Sequence, residues 1–227
     1  MMPWLLIAGA YIGGSLPIGL LIAKLWKGID VREHGSGNIG ATNVYRVVGP
    51  VAGALVFLLD VLKGYWPPAA GHAMGLSAEW LVGAGMSAIL GHNFSPFLGF
   101  KGGKGIATSL GVLFGVAPKV GFAAFGLWIV VVLVSRYVSV GSILAAASLA
   151  PLMLVYYPGQ PILFGFGLIA GLFAIYKHRA NIQRLRAGTE NRFGKSGKTS
   201  VDSEQPTIDS KLKAEEQETT SAGSDQD

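Results

Sequence analysis

The feature that most limits what this chain can fold into is a series of long apolar segments separated by short polar stretches. A helix needs about 20 mostly apolar residues to cross a hydrocarbon core of about 30 Å, because each residue adds about 1.5 Å. Segments of this kind run over 3–25, 51–74, 80–90, 106–117, 120–135, 138–157 and 161–176. They predict an all-α integral membrane protein with about seven transmembrane helices. The third and fourth segments are short, so five full crossings with a re-entrant pair is the alternative. With 51% hydrophobic and only 14% charged residues, the composition also lies on the membrane side of ordinary soluble usage.

Charge placement orients the segments. No positive charge precedes the first one, and Lys24 and Lys27 follow it, so it reads as a retained span with its N-terminus outside rather than a cleavable signal peptide. The stretches at 26–50, 91–105 and 136–137, and everything after 176, then face the cytoplasm. Up to Lys198 those regions and their span ends hold 14 of the 18 Lys+Arg, whereas the opposite face holds only Lys119. That asymmetry is the one the positive-inside rule requires.

Residues 1–198 carry 16 Lys+Arg against 5 Asp+Glu, a net of +11, and eight of the 13 acids lie after Ser200. The expected organisation is a polytopic membrane domain over 1–198 and a disordered acidic cytoplasmic tail over 199–227. A basic apolar body points to an anionic membrane surface and an anionic substrate. It argues against nucleic acid as a partner, because the charges are confined to gaps between apolar spans. The absence of cysteine removes disulfides, thiolate metal sites and a cysteine nucleophile.

The stretch "GSGNIG" at 35–40, with Asp60 twenty residues on, has the glycine spacing of a dinucleotide-binding fingerprint. That fingerprint needs a buried strand before it and a βαβ unit around it. The chain instead supplies the charged "KGIDVREH" before Gly35 and a membrane span soon after Gly40, so the dinucleotide reading fails.

Three stretches at the cytoplasmic span ends concentrate the polar chemistry: "GSGNIGATNVYRVVG" (35–49), "GHNFSPFLGFKGGKGIAT" (91–108) and "YKHRANIQRLRAGTENRFG" (176–194). In the first, Gly35, Gly37 and Gly40 would let backbone N–H groups approach an anion. Ser36, Asn38, Thr42 and Asn43 add polar contacts, and Arg46 could grip phosphate oxygens in a fork. A helix opening at Ala41 or Thr42 would contribute its positive end. In the second, Gly102, Gly103 and Gly105 would free the backbone to wrap an oxyanion, with Lys101 or Lys104 supplying charge and His92 and Asn93 further polar groups. It is not a Walker loop, since Leu98 replaces the first glycine and Gly105 stands where Ser or Thr is needed. In the third, His178 and Asn181 share a helix face at i, i+3. Arg184, Arg186 and Arg192 are expected along the headgroups, and Glu190 in a structural ion pair.

Asp60 and Lys63 lie within a span, where ionisable groups are costly and mark either function or a one-turn ion pair. They are what keeps a phosphorylated-metabolite transporter in view. A transporter site would sit near the midplane at a repeat interface, whereas these polar groups gather at one face and no repeat relates the halves. A scaffold that recruits a partner through the tail would leave Ser36, Arg46, Lys104 and His178 without purpose.

The ordered set "GSGNIGATNVYR", "GHNFSPFLGFKGGKG" and "HRANIQRL…GTENR" resembles the bacterial acyl-phosphate-dependent glycerol-3-phosphate acyltransferases, over about residues 4–194. The resemblance implies a multi-pass enzyme of the bacterial inner membrane with its active site towards the cytoplasm. It implies transfer of a fatty acyl group from acyl phosphate to the 1-hydroxyl of glycerol 3-phosphate, as the first acylation of phosphatidic acid synthesis. It further implies no cofactor or metal, and a soluble partner enzyme that makes acyl phosphate. By the same resemblance Ser36 and Arg46 match the family's essential pair, Lys104 with Gly102, Gly103 and Gly105 its phosphate loop, and His178 and Asn181 its third motif. Glu190 matches a structural acid, and Ser139 and Ser142 are further polar contacts.

The residues agree with that chemistry. Two phosphate-bearing substrates need two anion sites, and an acyl phosphate is already activated. No GxSxG elbow is present. No histidine has an aspartate five residues on: His34, His72, His92 and His178 are followed there by Ile39, Ser77, Phe97 and Gln183. The expected mechanism is direct attack by the glycerol hydroxyl, with Lys104 and backbone N–H groups stabilising the developing charge. His178 is then either the general base or an orienting group, the donor phosphate taking the proton; the shortage of carboxylates favours the second.

Overall fold

The computed structural model describes residues 2–194, and the acidic tail expected over 199–227 lies outside them. The helices are α1 (Met2–Ser15), α2 (Ile18–Lys27), α3 (Ala41–Val47), α4 (Pro50–Ala73), α5 (Ala78–Asn93), α6 (Ile106–Val116), α7 (Pro118–Ser135), α8 (Val138–Tyr156), α9 (Pro161–Lys177) and α10 (Arg179–Arg186). No strand occurs among the described residues. Every expected apolar segment is helical. By length and composition alone, three stretches can cross a membrane: 2–27, α7 and α8, with bent α9–α10 a fourth.

The outer surface is apolar, as lipid requires. Leu133 and Val134 are 74% and 82% exposed, a position that water would penalise and hydrocarbon would not. Trp4 and Trp80 meet edge to face, with ring centroids 4.9 Å apart, where α1 and α5 begin. Indoles of this kind favour the interface between hydrocarbon and water.

The first segment departs from the uninterrupted helix expected over 3–25: it breaks at Leu16–Pro17. Pro17 brings no N–H and disfavours helical geometry at Leu16. The carbonyl of Leu16 accepts from the Ile18 N–H and from Lys63 of α4, each at 3.0 Å, and Asp60 sits 2.7 Å from the Lys63 ammonium. Of the two readings open for Asp60 and Lys63, the geometry realises the ion pair, with Lys63 tying the broken helix to α4.

α6 has 11 residues and so measures about 16 Å, well short of a full crossing. Its short length follows from the loop before it. The N–H groups of Gly102 and Gly103 donate to the carbonyls of Asn93 and His92, folding the loop back along the last turn of α5. α6 therefore starts beside that turn rather than above it. Along its length it packs closely on α4 through glycines. A Cβ at Gly64 would lie 2.0 Å from the Thr108 carbonyl oxygen, and one at Gly111 only 1.9 Å from that of Val61. Such contacts hold where small residues let two backbones approach.

Candidate active site

One open cavity, of about 1320 Å³ including its solvent-filled mouth, is bordered by α3–α10. Its mouth carries Ser36, Asn38, Thr42, Arg46, Lys104, His178, Asn181, Arg184 and Glu190. The rest of the lining is largely apolar, with Phe57, Leu113, Phe125, Trp128, Ala145, Leu149 and Ala170, and includes the buried Asp60 and His92. Phe57, Phe125 and Trp128 form a stacked ladder along one wall, with centroids 6.2 and 5.9 Å apart.

The first loop is organised by one buried side chain. Asn43 is 1% exposed; its amide nitrogen donates to the carbonyls of Val31, His34 and Asn38, and its oxygen accepts the Ser36 N–H at 2.8 Å. Asn43, expected as a substrate contact, borders the cavity, and these bonds also make it the scaffold of the loop. Gly35 (φ +61°) packs on it so closely that a Cβ would lie 2.4 Å from its oxygen. Gly35 and Gly37 accordingly shape the loop and do not border the cavity, whereas Gly40 does. Asn38 caps the turn by accepting the Gly40 N–H at 2.8 Å. α3 opens at Ala41 and presents Arg46, half-buried, whose guanidinium pKa burial lowers, with Glu190 opposing that shift.

The second loop also differs from expectation. The Gly102 and Gly103 N–H groups are already used by α5, so they do not wrap an anion. Their part is close approach: a Cβ at Gly103 would lie 2.2 Å from His92 Nε2. His92 is 4% exposed and stands between Gly103 and Asp60, its Nδ1 3.8 Å from the carboxylate. Asn93 is fully buried beneath the loop, donates to Ile89 at 2.8 Å and does not border the cavity. Among the described residues, no backbone carbonyl takes the N–H groups of 104–108, where α6 begins. The donors available to an anion are therefore those of the helix start together with the Lys104 ammonium. Lys101 is exposed and outside the cavity.

The third stretch supplies a polar relay. Lys104 donates to Asn181, Asn181 donates to Glu190 at 2.7 Å, and Arg184 donates to the other Glu190 oxygen, also at 2.7 Å. Glu190 has the ion pair expected of it, and its pKa is lowered: burial opposes, but the hydrogen bonds outweigh it. Arg184, expected along the headgroups, is instead in the cavity wall; its spacing three residues beyond Asn181 placed it on that face. Burial pulls the Lys104 ammonium down to about 8, and Glu190 partly restores it. His178 donates through Nδ1 to the Ala174 carbonyl at 2.8 Å, which leaves Nε2 without a proton. Burial, with Lys104 beside it, pushes the imidazole down to about 4, so it is neutral at pH 7. Ser139 and Ser142 border the cavity. Ser142 accepts from Trp128 at 3.2 Å and donates to Val138 at 2.9 Å, while the buried Ser139 hydroxyl has no partner within hydrogen-bond distance among the described residues.

No group of three or more His, Asp or Glu is placed to hold a metal ion among the described residues. The apolar wall escaped sequence reasoning, because residues facing a groove and residues facing lipid are of the same types.

A helical membrane protein whose cavity joins a cationic, amide-rich mouth to an apolar groove belongs to the class that handles phosphorylated amphiphiles. Within that class, this chain is a member of the glycerol-3-phosphate acyltransferase family, whose sequence model matches residues 4–188. A glycerol-3-phosphate acyltransferase of Geobacter sulfurreducens is 49% identical over 189 residues, covering 83% of this chain and 96% of the relative. One of Aquifex aeolicus is 45% identical over 190 residues, covering 83% and 97%. The fold is similar to crystal structures of PlsY, an integral membrane glycerol 3-phosphate acyltransferase. Its glycerol 3-phosphate form superposes with a TM-score of 0.80 at 44% identity, covering 86% of this chain and 96% of that one. Its lysophosphatidic acid form gives 0.78 at 43% identity, with the same coverage.

Proposed function

We propose that the chain transfers a fatty acyl group from an acyl phosphate to the 1-hydroxyl of glycerol 3-phosphate, releasing lysophosphatidic acid and inorganic phosphate. The observation that carries this reading is the continuity of the polar mouth with the apolar groove in one cavity. From Ser139 to Leu149 along α8 the groove runs ten residues, about 15 Å. At about 1.2 Å per bond of an extended chain, that depth takes about twelve carbon–carbon bonds.

The glycerol oxygen forms its bond to the acyl carbon, and the bond from that carbon to the bridging phosphate oxygen breaks. Arg46, Lys104 and the N–H groups at the start of α6 are placed for the anionic groups and the developing charge. The departing phosphate takes the proton of the attacking 1-hydroxyl, and His178, neutral with a bare Nε2, orients glycerol 3-phosphate by accepting a hydrogen bond from its 2-hydroxyl. The site faces the cytoplasm of a bacterial cell membrane, in a seven-span topology with the N-terminus outside. A soluble enzyme that makes acyl phosphate supplies the donor.

The test is purified protein in detergent or lipid with labelled glycerol 3-phosphate and, separately, acyl phosphate, acyl-CoA and acyl carrier protein donors. Lysophosphatidic acid is expected with acyl phosphate alone; product only with a thioester donor would refute the donor assignment. His178→Gln, which keeps a hydrogen-bond acceptor, is expected to lose about tenfold in kcat or less. A loss equal to that of Arg46→Ala would make His178 the base instead.

A further inference from the structure

The segment after α10 runs along the cavity and is fastened beyond it by Arg192 and Phe193, residues to which the mechanism assigns no part. It leaves α10 through Gly188 (φ +69°), and Glu190 and Asn191 then border the cavity. Beyond them the Phe193 N–H donates to the Arg136 carbonyl at 2.7 Å, in the short turn between α7 and α8. Arg192 Nε donates to the Tyr137 hydroxyl at 2.9 Å, and its guanidinium lies 5.4 Å from the centre of that ring. The Phe193 ring stacks on Tyr45 of α3, the residue before Arg46, with centroids 5.1 Å apart and planes 28° from parallel.

Two further facts set this contact apart from surface packing. Arg136 is the left-handed C-cap of α7 (φ +61°), with its N–H on the Val132 carbonyl at 2.8 Å, so its own carbonyl lies past the helix end and needs a donor from outside it. Its carbonyl is the acceptor for Phe193. The span matched by the family model also ends at residue 188, so both anchors lie outside it.

We propose that residues 189–193 act as a strap, with Phe193 and Arg192 as positioning residues that hold Glu190 against Asn181 and so fix the Lys104 ammonium at the reacting groups. The relay Glu190–Asn181–Lys104 is continuous in hydrogen bonds, and the strap is the only part of it not carried on a helix or on the loop anchored to α5. Release of Phe193 would leave Glu190 held by the Arg184 ion pair alone, able to shift with that side chain and lengthen its bond to Asn181. Lys104 would then lose its orientation, not its presence. Displacement of a catalytic group by about 1 Å costs up to about a hundredfold in rate, chiefly in the chemical step.

This inference rests on the acyl-transfer reading, and its test separates the two. Full-length wild type and variants are assayed for kcat and for KM towards glycerol 3-phosphate at saturating donor. Phe193→Ala is expected to lower kcat about tenfold while KM moves less than threefold, and Phe193→Tyr, which keeps the stack, to recover at least half of wild-type kcat. Arg192→Gln, an exposed change that leaves the packing intact, is expected to lower kcat about threefold. Wild-type kcat in both Phe193→Ala and Arg192→Gln, or a Phe193→Tyr enzyme as impaired as Phe193→Ala, would overturn the strap. Docking is read without turnover by hydrogen exchange: the Phe193 amide should be protected in wild type, and free exchange there would overturn the proposal even if the protein proved inactive. A wild type that makes no lysophosphatidic acid but protects that amide would instead count against the acyl-transfer reading.

Discussion

The loops at 35–40 and 99–105 are both rich in glycine and both border the same cavity, yet they are held by different means. The first is hung on a side chain: Asn43 satisfies three carbonyls and one N–H, and the loop takes its shape from that hub. The second is hung on backbone, through the Asn93 and His92 carbonyls at the end of α5, with the His92 ring wedged against Gly103 and backed by Asp60. Glycine therefore serves close approach in both loops, and the anion donors come from what the loops deliver: Arg46 on α3 in one case, Lys104 and the start of α6 in the other. Similar composition conceals two separate solutions to placing one cation.

The largest expected effect is at the delivered group. Lys104→Ala should lower kcat by about 10²–10³ with the protein still folded, the range seen on removing one charge-stabilising donor; a loss below tenfold in steady-state assays would take Lys104 out of the chemistry. Next comes the hub of the first loop. Asn43→Ala strands buried carbonyls, so it should cost about 3 kcal/mol of stability and about a hundredfold in kcat/KM. Thermal unfolding in detergent that matches wild type would show that the loop does not hang on Asn43.

Gly103→Ala probes the second loop in the same way. The added Cβ must displace the loop or the buried His92 ring, and about a thirtyfold loss in kcat is expected. The comparison would fail if Gly103→Ala were neutral. Asp60→Asn leaves Lys63 buried without its charge partner and should destabilise by about 3–5 kcal/mol, while Asp60→Asn with Lys63→Met should regain most of that. A double variant that unfolds as readily as the single one would mean that Asp60 serves His92 rather than Lys63.

The smallest effect is in pH dependence. Lys104 acts as a cation, and burial holds its pKa at about 8, so it is protonated below that pH and neutral above it. Arg46 on α3, Lys177 on α9, Arg184 on α10 and Glu190 on the strap face it, and only Glu190 favours the charged form. kcat should fall as pH rises through about 8, well below the 10.4 of a free lysine. A profile flat to pH 9.5 would contradict the burial of Lys104.

Much of this was legible in the residues. Apolar runs located every long helix to within a few residues, because hydrocarbon admits a backbone only when its polar groups pair within the segment. Polar stretches at span ends marked Ser36, Arg46, Lys104, His178 and Asn181, all of which border the cavity. The parts played by Asn43, Asn93, Gly102 and Gly103 were not legible. An amide or a glycine near a phosphate loop has the same spelling whether it touches a ligand or a distant carbonyl, as Gly102 touches that of Asn93 and Asn43 that of Val31. The i, i+3 spacing from Asn181 set Arg184 apart from Arg186, but its partner Glu190 was not legible.

By itself, then, the sequence determined the membrane-embedded helical class, the clustering of polar groups at one end of the spans, and the chemical types available there. Hydropathy and charge act locally along the chain, so they can be read locally. Only the tertiary structure decided which donors are free, which glycines are spacers, that Lys63 closes the break at Leu16, and that Phe193 lies on Tyr45. Those outcomes depend on pairings between residues far apart in the chain. A hydrogen bond made within the protein removes a donor from the ligand's reach, and one-dimensional pattern does not show where that bond is made.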